Sequence, residues 1–193
     1  MELKVPSEIE IGGYTPTAEE LTFKDCQSTW LFANNQFSWI FKNYKDKKIR
    51  FTGNCRNMEF TFYKSEIDDL SNVIFEDCYG SGNYGASFRS MLTASKTKYS
   101  PEIKNCDIGS LRYAFQNTDA LETLPSFENC SIAYESDADV INSMFYEAHS
   151  LKNINFDFSK NIRLREQRYY YWYSSIFWDC WSLKSIDFSM PMV

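Results

Sequence analysis

Several residues in this 193-residue chain have types or spacings that could do chemistry. Gly80, Gly82 and Gly85 fit the pattern G-x-G-x-x-G, which lets a dinucleotide pyrophosphate approach a helix N-terminus. Glu102 lies near the offset expected for a carboxylate that binds the ribose. The one histidine, His149, is the only imidazole available as a general base. Six cysteines and a segment rich in tyrosine and tryptophan complete the candidates.

The glycine motif has an incomplete context for nucleotide binding. A predicted strand, 73–78, precedes it and a helical pattern, 86–95, follows it, but that strand belongs to a repeat described below. Glu102 precedes its strand instead of ending it, and the sequence holds no second Rossmann half. His149 lies at a variable position, and no G-x-S-x-G motif is present. The motif is interpreted as an enlarged turn, with nucleotide binding as the alternative, and no catalytic residue, metal site or cofactor is predicted.

The composition disfavours two classes of partner. Asp and Glu number 26 against 20 Lys and Arg, a net charge of −6, whereas phosphate binding needs clustered Lys and Arg. No apolar run approaches the roughly 18 residues of a membrane span. The segment Met1–Pro6 lacks the apolar core of a signal peptide. We therefore predict no nucleic-acid partner and no membrane insertion, with a location on a virion or cell surface, or in the cytoplasm for a complete cellular protein.

A repeat organises the chain. One large apolar residue recurs at Phe23, Phe51, Phe75, Ile103, Phe127, Phe156 and Phe188. In the first five units a cysteine preceded by Asp or Asn follows it three or four places later, and in the last two units that position is Ser159 and Pro191. A second pattern places Phe at 115, 145 and 177, Leu six residues later at 121, 151 and 183, and an aliphatic residue at 124, 154 and 186. The end of this pattern alternates as a short strand does. The segment before it, exemplified by Asp139–Ala148, is predicted to be helical. Seven units of about 27 residues would stack into a solenoid.

The segment Phe177–Ser189, which reads F-W-D-C-x-S-L-x-x-I-x-F-S, resembles the leucine-rich repeat of the BspA-like type. Residues 107–193 carry the resemblance, and residues 1–106 carry only the strand and the cysteine. The family is common on bacterial surfaces, in some parasites and in viruses of gut bacteria. The resemblance implies an α/β leucine-rich-repeat solenoid at 21–193 after an N-terminal cap or linker at 1–20. The alternative fold is a right-handed parallel β-helix.

The resemblance also implies a role for the cysteines. In such repeats the residue after the strand lies inside the turn and satisfies buried backbone groups. The cysteines at this position are Cys26, Cys55, Cys78, Cys106 and Cys130. We interpret them as a structural ladder of reduced, buried thiols. Disulfides are the alternative, and zinc is disfavoured because no C-x-x-C pair exists.

The segment 168–181 holds more aromatic residues than a core needs. Tyr, Trp and Ser together resemble a paratope, in which rigid aromatic area lies beside adaptable hydroxyls. The predicted binding residues are Tyr169, Tyr170, Tyr171, Trp172, Tyr173, Trp178 and Trp181. The alternative is that these residues cap the last repeat or lie in a subunit interface.

These patterns predict a non-enzymatic recognition or adhesion module that binds a protein or glycan on a cell surface. The chain would serve on a bacterial surface or as the host-binding part of a phage tail or head appendage. The competing hypothesis is a structural subunit that docks into a larger assembly, or associates with itself, through its C-terminal aromatic end.

Overall fold

The computed structural model describes residues 20–25, 47–81, 84–122, 124, 126–132, 140–157, 162–164 and 175–189. Eleven strands lie in this part of the chain. They are β1 (Glu20–Lys24), β2 (Lys48–Asn54), β3 (Val73–Tyr79), β4 (Ala86–Ser87), β5 (Glu102–Lys104), β6 (Asp107–Ser110), β7 (Ser126–Glu128), β8 (Cys130–Ile132), β9 (Asn153–Asp157), β10 (Ile162–Leu164) and β11 (Ser185–Ser189).

All of these strands pair in parallel, which makes the fold a β-solenoid. One sheet has the order β1-β2-β3-β5-β7, a second has the order β10-β8-β6-β4, and β9 pairs with β11. Three turns, β3–β4, β5–β6 and β7–β8, contribute strands to both larger sheets. No helix occurs in the described ranges. The predicted seven α/β leucine-rich repeats are therefore wrong, and the parallel β-solenoid fits the alternative fold.

The strand register follows the aligned apolar residues. Phe23 pairs with Phe51, Phe51 with Phe75, Phe75 with Ile103, and Ile103 with Phe127, so the predicted alignment of these positions is confirmed. The rings of Phe23, Phe51 and Phe75 stack with centroids 4.9 and 4.8 Å apart. This separation matches the distance between neighbouring strands, so one strand spacing suits one ring. The buried column forms the centre of the hydrophobic core.

In the first sheet a left-handed residue lies directly before Cys78, Cys106 and Cys130, whereas near Cys55 the left-handed residue is Gly53, with a φ angle of 83°. Asp77, Asn105 and Asn129 have φ angles of 54°, 51° and 51°. Asp and Asn tolerate this conformation better than other non-glycine residues. The left-handed residue turns the chain into the second strand of each turn. The sequence predicted one strand per unit, and this is wrong for these turns, which have two. The second strands have only two to four residues, too few to show a sequence pattern.

The segments predicted to be helical are turns. Five segments, 59–64, 89–94, 112–117, 140–147 and 175–179, form what we call the turn face. Each has two residues of positive φ four positions apart, such as Tyr113 at 56° and Asn117 at 52°. Every left-handed residue interrupts an α-helix. The predicted helices at 86–95 and 139–148 are therefore wrong wherever those residues are described.

Hydrogen bonds between turns explain why this conformation replaces a helix. Alternate N–H groups donate to the next turn, as Phe60 does to the Arg89 carbonyl at 3.1 Å and Ser90 to the Arg112 carbonyl at 2.9 Å. Other N–H groups close local turns, as Gln116 does to the Tyr113 carbonyl at 3.1 Å. A helix would use its N–H groups within itself and leave none for the neighbouring turn. Because the apolar residues recur every three to four positions in both structures, the sequence pattern did not separate them.

Residues 1–19, which make up nearly all of the predicted cap or linker, lie outside the described residues. Within the described ranges, no helix is long and apolar enough to span a membrane.

Candidate binding surface

Exposed aromatic side chains lie at the C-terminal end of the turn face and two residues beyond its last two segments. The ring of Trp178 lies parallel to the ring of Tyr146 in the preceding turn, with centroids 6.5 Å apart and an interplanar angle of 7°. The ring of Trp181 lies 4.3 Å from the ring of His149. Trp178 is 61% exposed and Trp181 is 74% exposed, so both offer free ring surface. We call these four residues the aromatic column.

The repeat positions these four side chains. Phe115, Phe145 and Phe177 stack in the core with centroids 5.4 and 5.8 Å apart. Tyr146 and Trp178 each follow one of these phenylalanines by one residue. His149 and Trp181 each follow one by four residues. Since the buried phenylalanines fix the register, equivalent outward residues in successive turns must lie over one another.

Polar contacts fix the orientation of the rings. The Nδ1 atom of His149 lies 2.6 Å from an Asp119 carboxylate oxygen, and its Nε2 atom lies 3.9 Å from Asp179. The indole N–H of Trp181 donates to Asp179. Partial burial, together with the charges of Glu147 and Asp179, raises the pKa of Tyr146. Its phenol stays protonated at neutral pH and remains a hydrogen-bond donor. The column thus combines flat apolar area with carboxylates and a hydroxyl at its edge.

The sequence-predicted binding residues are only partly placed. Trp178 and Trp181 belong to the aromatic column. The remaining predicted residues lie outside the described residues; they are Tyr169, Tyr170, Tyr171, Trp172 and Tyr173. Sequence reasoning missed Tyr146 and treated His149 as an ordinary surface or packing residue. The available signal was their repeat position, because each stands one unit before a predicted tryptophan.

A groove with a volume of about 510 Å³ lies on the described surface, lined by Lys98, Ala120, Glu122, Ser150, Lys152 and Ser182. We call it the lysine groove. Ser150 and Ser182 directly follow His149 and Trp181 in the chain, so the groove continues the aromatic column. Sequence reasoning did not identify it, since its residues come from several turns and form no local motif.

The outward residues of the five-stranded sheet, which we call the strand face, pair with one another. Arg50 contacts Glu20 through its Nε atom at 2.8 Å and its Nη2 atom at 3.2 Å, and it also contacts Glu76. Lys104 contacts Glu102 at 2.8 Å and Glu128 at 3.2 Å. Hydrogen bonds to these two carboxylates raise the pKa of Lys104, and the Arg50 guanidinium lowers the pKa of Glu20. Arg50 and Lys104 are therefore each neutralised by carboxylates of the strand face.

The cysteines form an internal column. Cys55, Cys78, Cys106 and Cys130 are buried and carry free thiols, whereas Cys26 lies outside the described residues. The thiol of Cys78 donates to the Phe51 carbonyl of the preceding turn at 3.3 Å. Hydrogen bonds with the Cys106 and Cys55 thiols, followed by burial, raise the pKa of Cys78. Because its thiol stays protonated, Cys78 is a poor nucleophile and metal ligand. Among the described residues, no group of three or more His, Cys, Asp or Glu could hold a metal ion.

The glycine motif has a packing role. A Cβ atom on Gly85 would overlap the Gly109 nitrogen and the Ile108 carbonyl carbon of the next turn. Gly82 lies outside the described residues, and the described residues after the motif form strand β4 and a turn, not the predicted helix. Glu102 lies in β5, where it pairs with Lys104. Gly85 and Gly109 let two turns approach closely, as glycine does where backbones meet.

Comparison with protein-family models, with curated proteins and with solved structures finds no match for this chain.

Proposed function

We propose that this protein is a non-enzymatic recognition module that binds a glycan on a cell surface through its aromatic column. The single observation that carries the proposal is the exposure of Trp178 and Trp181, which are 61% and 74% accessible although the solenoid core lies directly beneath them. Exposed aromatic side chains that lie next to one another in a patch, unlike single exposed rings, mark sites of interaction with a partner. The flat faces of sugar rings stack on indole rings, and nearby carboxylates accept hydrogen bonds from sugar hydroxyls.

The BspA-like resemblance suggests where such a module would act. Proteins with BspA-like repeats occur on bacterial surfaces and in viruses of gut bacteria, so we propose a bacterial surface or a virion appendage that binds a bacterial host. We also propose a right-handed form for the β-solenoid, since parallel crossover connections in one sheet are almost always right-handed. A rigid solenoid holds the rings in place before the ligand arrives, which lowers the entropy lost on binding.

The proposal is tested with fluorescently labelled protein on a panel of bacterial cells. The variant Trp178→Ala/Trp181→Ala should lose about 2 kcal/mol of binding free energy, or roughly 30-fold in affinity. The matched control is Tyr79→Ala/Tyr99→Ala, which removes two rings that are 48% and 40% exposed elsewhere on the solenoid. Equal binding by both variants would contradict the proposal.

One observation favours the second candidate, a structural subunit that docks through the same end. Ile186 of β11 is 54% exposed, and within the described strands β11 pairs only with β9. An open parallel edge can accept another chain. A mass by light scattering that rises with concentration, and that Ile186→Asp returns to the monomer value, would support docking. A monomer at all concentrations would leave recognition as the function.

A further inference from the structure

We infer that the lysine groove binds the acidic groups of a glycan, so that the ligand carries carboxylate or sulfate groups beside the sugar that stacks on the aromatic column. The inference rests on the proposed function, because the groove extends the same surface. It names the substrate class, which the aromatic residues leave open.

The first step is the arrangement of charge beside the groove. Lys98, Glu122, Lys152 and Lys184 occupy one column in successive turns, linked where Glu122 N–H donates to the Lys98 carbonyl at 3.0 Å and Lys184 N–H to the Lys152 carbonyl at 2.7 Å. The signs alternate from Lys98 to Lys152, and then two lysines follow one another. Strands of a sheet lie about 4.8 Å apart, and like charges directly opposite each other repel.

The second step is the absence of a counter-charge. All three lysines are exposed, and no described carboxylate lies within ion-pairing distance of their Nζ atoms. Elsewhere in the chain's described part, Lys96 pairs with Glu66 at 2.6 Å, and Lys104 pairs with two glutamates. An acidic protein with a net charge of −6 thus keeps these neighbouring lysines without a described ion pair beside the groove. A bound anion would relieve the repulsion between Lys152 and Lys184.

The third step is the shape and polarity of the groove. Among the described residues, its lining holds two lysines against one glutamate, a charge of +1, together with the hydroxyls of Ser150 and Ser182. These hydroxyls donate and accept hydrogen bonds, as sugar hydroxyls require. Since equivalent positions repeat at each turn, consecutive rings of an extended glycan would meet equivalent side chains. The ammonium groups would contact the acidic substituents, while Trp181 would stack on a ring.

The test uses a printed array of uronate-bearing and sulfated oligosaccharides beside their carboxyl-reduced and desulfated counterparts. We expect at least tenfold stronger binding to the acidic member of one or more pairs, with binding that weakens as NaCl rises from 50 to 500 mM. The uronate and sulfate arms distinguish the two sources of negative charge. Lys152→Ala/Lys184→Ala should reduce this binding about 5-fold per lysine. The control Lys48→Ala/Lys96→Ala removes the same charge from exposed positions outside the groove and should leave binding unchanged.

Two outcomes separate this inference from the proposed function. If the protein binds neutral and acidic counterparts equally, and Trp178→Ala/Trp181→Ala abolishes both, the lysine groove has no role and the proposed function stands. If cell binding depends on the tryptophans but no acidic glycan competes with it, the role of the lysine groove is overturned and the proposed function still stands. Loss of binding in the Lys48→Ala/Lys96→Ala control would reduce the effect to net charge. Failure of the tryptophan variant to change any binding would overturn the proposed function.

Discussion

The strand face and the turn face of this solenoid differ in whether the charged side chains on or near them form ion pairs. On the strand face, Arg50 lies between two glutamates of neighbouring strands, and Lys104 pairs with Glu102 of its own strand and Glu128 of the next. On the turn face, Trp178 and Trp181 are exposed, and the nearby lysines have no described counter-ion. Both faces rest on the same stacked core. A charged side chain that is already paired binds a ligand weakly. Exposed rings and cations without an ion pair are available to a ligand, so the turn face is the better candidate for recognition.

The largest expected effect tests whether the buried core residues, and not the exposed aromatic column, supply the stability of the fold. Phe75 is fully buried, stacks on Phe51 at 4.8 Å and contacts the edge of Phe88 at 5.1 Å. Phe75→Ala should lower the free energy of unfolding by about 3–5 kcal/mol because it leaves a cavity in the stacked column. Trp178→Ala should cost about 0.5 kcal/mol or less. Urea unfolding followed by circular dichroism measures both. Similar losses in the two variants would contradict the separation of roles.

The core column could be predicted from the sequence, and its surroundings could not. Phe23, Phe51 and Phe75 recur with the same neighbours, so their register is readable without coordinates. The turn face was misread because positive φ at residues such as Tyr113 and Ser143 leaves no mark in their side-chain type. Both helices and these turns place apolar residues three to four positions apart. Only the hydrogen bonds between turns distinguish them, and those depend on residues more than 20 positions away.

The candidate site was half predictable for the same reason. Composition alone identified Trp178 and Trp181, since these two and the five aromatics at 169–173 exceed the needs of a core. Their partners Tyr146 and His149 are single residues in ordinary contexts, and only the solenoid register brings them under the tryptophans. The lysine groove is less visible still. Lys98, Lys152 and Lys184 are far apart in the sequence and meet only when the turns stack.

A smaller effect tests the internal neutralisation of the strand face. Arg50→Met keeps the apolar stem but removes the charge between Glu20 and Glu76, and it should cost about 1 kcal/mol at pH 7. Because Arg50 lowers the pKa of Glu20 in the folded state, this stabilisation is present above the ordinary glutamate pKa of about 4.3. It is lost as the pH falls through the lowered folded-state value.

The measurement compares urea midpoints of the wild-type protein and the Arg50→Met variant at pH 7 and in steps down to pH 3. The difference between them should shrink as the pH falls below about 4.3. Lys48→Ala, which alters a neighbouring exposed lysine, serves as the control and should show a smaller difference at every pH. A difference between wild type and Arg50→Met that grows on acidification would show that Glu20 is not the group responsible.

The smallest effect has the opposite sign and probes the turn face directly. Lys184→Glu replaces the repulsion between Lys152 and Lys184 with an attraction, and it should raise the free energy of unfolding by about 0.2–1 kcal/mol. The same substitution should weaken binding to an acidic glycan, because it places a carboxylate beside the lysine groove. A variant that gains stability while it loses binding would mark the two lysines as residues kept for a ligand at a cost to the fold. Stability that stays constant across 50 to 500 mM NaCl in both proteins would show that the lysines do not repel each other, and the contrast between the two faces would then rest on the aromatic column alone.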